Sequence, residues 1–200
     1  MKKITLSIFM SLSLFYLVSC KKDSGDNNPK SGNIQGNYQF ISLSASTTST
    51  VIVTDGVTVD KTVTKSDYIS KNNAGNMTIT DSKIISTDLA YSIDTIAHTY
   101  MYEDGVLIDD FDFPFQFDAP ISSATSDYVW VTSDSIYCPN GTIFTDGVTS
   151  NSGPSGVRIL QQADKLFIMA SKEQTTHDNS SGYPTTMIAQ ASVIATYQKQ

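Results

Sequence analysis

Residues 106–117 read V-L-I-D-D-F-D-F-P-F-Q-F, and their alternation decides the fold class. Phe111, Phe113, Phe115 and Phe117 take every second position, with Asp110, Asp112, Pro114 and Gln116 between them. Successive strand side chains point to opposite faces, so this spacing predicts rings on one face and a wet surface on the other. Four phenyl rings carry more apolar area than water tolerates, so other strands are expected to cover them.

The same text continues on both sides. From Asn37 onward threonine, valine, isoleucine and aromatic residues dominate, as strands prefer. Asp55-Gly56, Asp104-Gly105, Asn140-Gly141 and Asp146-Gly147 supply the positive φ that tight hairpins need. Candidate strands are 38–45, 50–54, 57–65, 76–80, 83–87, 91–94, 96–103, 106–117, 128–132, 135–138, 142–145, 157–161, 165–172 and 185–197. Merging across bends leaves about eight to ten. No window has a convincing helical period, although 66–72 could form one turn. The polar stretch 171–186 reads as a long exposed hairpin loop.

Two local readings go further. Tyr38 and Phe40 share one parity while Ile41, Leu43 and Ala45 share the other, which predicts a bulge near Phe40 and Ile41. A two-residue turn at Asp104-Gly105 pairs Glu103 with Val106, Tyr102 with Leu107, Tyr100 with Asp109 and His98 with Phe111. That register continues the aromatic face as His98, Tyr100 and Tyr102, polar toward the turn and apolar deeper. A pocket with a polar mouth fits this gradient, and so does a filled core fading into solvent.

The first 35 residues differ in kind. Met1-Lys2-Lys3 precedes an apolar run over 4–18, which is shorter than the roughly 20 residues of a membrane-spanning helix. Leu17-Val18-Ser19-Cys20 resembles the lipobox of bacterial lipoproteins. The resemblance implies a signal peptide over 1–19, cleavage before Cys20, and acyl chains such as palmitate on its sulfur. Residues 21–33 contain no large apolar side chain and read as a tether, so 20–35 is anchor and linker and 36–200 the β domain. Lys21-Lys22-Asp23 is similar to export signals of some Gram-negative surface lipoproteins. The expected location is therefore the outer membrane, by lipid anchor, facing the periplasm or the exterior.

Charge and chemistry narrow the function classes. The chain has 13 basic and 20 acidic residues, a formal charge of −7. Nucleic-acid binding is disfavoured, because phosphates need a basic footprint. Each buried methylene of an acyl chain adds about 0.8 kcal/mol, so two or more chains would hold the protein at a membrane. With Cys20 acylated, Cys138 has no disulfide partner and reads as a packed small hydrophobe. His98 and His177 lack metal-ligand spacing, and alternation divides Asp109, Asp110, Asp112 and Asp118 between two faces. Gly153-Pro154-Ser155-Gly156 is not a nucleophile elbow. No enzyme activity, cofactor or metal is expected.

Gly36-Asn37-Tyr38-Gln39-Phe40 resembles the G-x-W opening of lipocalin-like domains, and 193–199 resembles the closing strand of bacterial lipocalin-like lipoproteins. The resemblance implies an antiparallel barrel with a cup for a small apolar or amphipathic ligand; a β-sandwich is the alternative. The lining would be Tyr38, Phe40, Phe111, Phe113, Phe115, Tyr128 and Trp130, with His98, Tyr100, Tyr102 and Asp109 at the rim. A second expectation is a filled module that binds protein or glycan through exposed loops such as 147–156 and 171–186.

Overall fold

The computed structural model describes residues 33–141, 155–180 and 182–200. All ten elements among them are strands: β1 (Gly36–Asp55), β2 (Thr58–Ile69), β3 (Lys71–Ile79), β4 (Lys83–Glu103), β5 (Val106–Asp127), β6 (Val129–Thr132), β7 (Ser135–Cys138), β8 (Ser155–Gln162), β9 (Lys165–Asp178) and β10 (Thr185–Lys199). They form one antiparallel sheet. β2 and β3 lie end to end between β1 and β4, separated only by Ser70. β5 flanks β4, and β6 follows it after the single residue Tyr128. From β6 the sheet runs through β7, β8, β9 and β10 to β1.

Local chemistry places the bends. The β1–β10 register slips between Phe40 and Ser42, which puts the expected bulge at Ile41 and returns Phe40, Leu43 and Ala45 to the buried face. The break between β2 and β3 is satisfied internally. The Leu43 amide donates to Ser70 Oγ and the Ser70 amide to the Leu43 carbonyl, both at 2.7 Å. The expected helical turn over 66–72 is replaced by strand, because Ser66–Ile69 pair with β1, the Ser70 amide donates to Leu43 and Lys71 pairs with Ser92 on β4. Asp104 and Gly105 both adopt positive φ (48° and 83°), as a primed two-residue turn demands.

Two further expectations are corrected. The exposed loop over 171–186 shrinks to 179–184, since β9 runs to Asp178 and β10 begins at Thr185. Those polar residues show no apolar alternation, yet their backbones pair and Gln190 Nε2 donates to Glu173 Oε2 at 2.7 Å. β5 likewise continues to Asp127 through Pro114 and Pro120, which an edge strand tolerates. The candidate strand 142–145, the Asp146-Gly147 turn, most of the 147–156 loop and the leader with Cys20 lie outside the described residues.

The sheet has two regimes. Near the start of β1 and the end of β10 the buried face is packed: Tyr38, Met77, Ile84, Ile136, Leu166 and Ile168 are almost wholly shielded. Beyond Ala45, strands β5, β4, β2, β1, β10 and β9 extend side by side as a blade whose side chains are mostly half-buried or exposed.

Candidate functional site

The expected lining residues divide between these regimes. Tyr38 is fully buried, and its hydroxyl donates to the Ile34 carbonyl at 2.7 Å. Tyr128 donates to the Thr80 carbonyl at 2.8 Å and stands edge-on to Trp130, with centroids 6.4 Å apart. Phe40 tilts against Tyr197 at 5.4 Å and Tyr91 at 6.2 Å. Burial raises the phenols of Tyr38, Tyr68, Tyr128 and Tyr197, since a phenolate there would lose its water. These side chains fill the packed end.

The phenylalanine row lies on the same face but in the blade. Phe111, Phe113, Phe115 and Phe117 pair with Thr99, Ala97, Thr95 and Ile93. Ala97, Thr99 and Ile93 are buried beside them, while Phe111 remains 43% exposed and the other three rings are half-buried. Tyr91 joins the row to the packed end through Phe117, 6.4 Å away. Asp109 stands on this face, opposite Met101.

His98, Tyr100 and Tyr102 are on the other face, a correction to the expected register. Pairing begins as anticipated, with Glu103 opposite Val106 and Tyr102 opposite Leu107, but slips between Tyr102 and Met101. Ile108 is the extra residue, so His98 meets Asp112, not Phe111. His98 Nδ1 and Asp112 Oδ1 are 2.6 Å apart. Lys65 and Lys61 lie over the rings of Tyr100 and Tyr102, at 5.9 and 5.5 Å from their centroids. The sequence thus names two aromatic groups correctly and misjudges their relation by one residue. Thr95, Ala97 and Thr99, the floor beside the rings, escaped notice because small residues carry no motif.

An open depression of about 420 Å³ lies on β1, β9 and β10, among Ser46, Thr48, Ser171, Glu173, Gln190 and Ser192. Hydroxyls, the Gln190 amide and the Glu173 carboxylate line it, with no aromatic ring. Lys172 borders it, and burial pulls its ammonium down to about 8 from the usual 10.5. Between about pH 8 and 10 the unfolded chain therefore binds more protons than the folded one, and stability rises with pH. Above about pH 10 the raised phenols oppose this, because the unfolded tyrosines ionise first. Lys172→Met should abolish the rise, which urea midpoints at both ends of the window would read.

Among the described residues no group of three His, Cys, Asp or Glu could hold a metal ion. No helix among them is long and apolar enough to cross a membrane. Comparison with protein-family models, curated proteins and solved structures finds no match.

Proposed function

We propose that this chain is a lipid-anchored protein of a Gram-negative cell envelope, and that its β domain is a non-enzymatic binding module working through an open sheet face. The carrying observation is the division of the aromatic residues: Tyr38, Phe40 and Tyr128 are packed, whereas Phe111 to Phe117 form a half-exposed row. Small-molecule cups are concave and aromatic-lined, while flat aromatic faces suit larger partners.

A lipocalin-like barrel is the architecture we favour. With β2–β3 and β5–β6 each counted as one bent strand, the pairings pass through eight positions and return from β10 to β1. That cyclic order supports closure at the packed end. In the blade, among the described residues, β5 pairs only β4 and the outer half of β9 pairs only β10, leaving that end open.

The test uses the full-length chain and its Phe111→Ser/Phe113→Ser variant. The wild type should recover a stoichiometric protein or glycan partner from envelope extract, and the variant should lose it while still unfolding cooperatively, with a midpoint lowered only modestly because both rings are already partly in water. Micromolar quenching of Trp130 by fatty acids, retinoids or bile-type amphiphiles would overturn the reading, since it requires a cup at the packed end. For the anchor, Cys20→Ala should abolish detergent partitioning of the mature protein; continued partitioning would contradict it.

A further inference from the structure

The tips of the β1–β2 and β4–β5 hairpins sit together at the blade's far end. The Val59 amide donates to Asp104 Oδ1 at 2.9 Å, the Asp104 amide donates to the Val59 carbonyl at 3.0 Å, and Asp60 pairs with Glu103. Residues 55–60 and 103–110 contain six carboxylates (Asp55, Asp60, Glu103, Asp104, Asp109, Asp110), five aliphatic side chains and no base. The aliphatic ones stand in water: Val57 is 92% exposed, Val106 66%, Ile108 55%, Leu107 50% and Val59 40%. Nothing in folding rewards five exposed aliphatics at two adjoining turns, so the patch has the character of an interaction surface.

We propose that these paired tips dock a polypeptide segment carrying aliphatic and basic side chains together. Charge selects this occupant. An anionic bilayer would be repelled by six carboxylates, and so would a second copy of a chain whose formal charge is −7. A basic segment would instead be drawn in, with the valine, leucine and isoleucine side chains giving it contact area. Turn tips are convex, which favours a polypeptide partner over a small ligand needing a concavity. Position agrees: Gly36, where the tether enters, is at the opposite end of β1 from Asp55, roughly 60 Å along the strand at about 3.3 Å per residue. The tips therefore face away from the anchoring end. This surface is separate from the phenylalanine face, although it rests on the reading of the domain as a binding module.

The experiment is amide NMR of the full-length chain titrated with a short peptide of alternating lysine and leucine, with lysine–serine and glutamate–leucine peptides for comparison. The lysine–leucine peptide should shift residues 57, 59 and 106–108 and bind tightest, and added salt should weaken it. Leu107→Ser/Ile108→Ser should raise Kd about tenfold. Should that pair disturb the fold, Val57→Ser, at a side chain almost wholly in water, replaces it with the same direction expected. Equal binding of the glutamate–leucine peptide, unchanged affinity in the variants, concentration-dependent self-association through the tips, or no binding would each overturn the inference. Shifts confined to Phe111–Phe117 would overturn it while leaving the proposed function standing.

Discussion

Ile168→Ala is expected to lower the unfolding free energy by about 3 kcal/mol, whereas Phe111→Ala costs only about 1 kcal/mol although it deletes the larger side chain. Ile168 is fully buried, paired with Ile159 on β8 and Ala195 on β10, so its removal leaves a cavity walled by two neighbouring strands. Phe111 has Thr99 beside it on β4 and no strand on its other side among the described residues. With 43% of its surface already wet, truncation gives up little further burial and leaves no enclosed void. Urea unfolding of both variants checks this. Equal losses would mean that the phenylalanine row is as enclosed as the packed end, and the open-face reading would fail.

Gly75→Ala should cost about 3 kcal/mol or more, combining backbone strain and overpacking of about 1–3 kcal/mol each. Gly75 has φ +112°, and a Cβ there would lie 2.7 Å from Leu89 Cα and 2.8 Å from the Asp88 carbonyl oxygen. Both are backbone atoms, so no rotamer change relieves the clash. The site joins β3 to β4 where both strands slip register, around Ala74 and between Ser86 and Leu89. Gly105→Ala is the control: its φ is +83° but nothing lies within 4 Å of the added carbon, so only strain of about 1 kcal/mol remains. Matched losses in the two variants would remove the close crossing from the account.

Much of the fold was legible because strand alternation is a local property. The F-x-F-x-F-x-F run, the Asp104-Gly105 turn and the parity fault at Ile41 each appear in the structure where the residues implied. The misses share one cause. Ile108 and Leu107 are interchangeable as strand formers, so nothing in V-L-I announces a bulge that moves His98, Tyr100 and Tyr102 to the opposite face. Residues 171–178 pair with β10 along a single edge and without an apolar pattern, because water is acceptable to both their faces. Parity also says which side chains share a face, never what covers it. Tyr38 and Phe111 share theirs, yet Leu166, Ile168 and Tyr197, far along the chain, gather only around the first.

The most direct test of the central claim is solvent relaxation of ring-labelled phenylalanine by a soluble nitroxide. The account predicts strong broadening of Phe111, Phe113, Phe115 and Phe117 while Phe40 stays sharp. Equal protection of all five rings would show an enclosed aromatic interior, contradicting a module that binds through an open face.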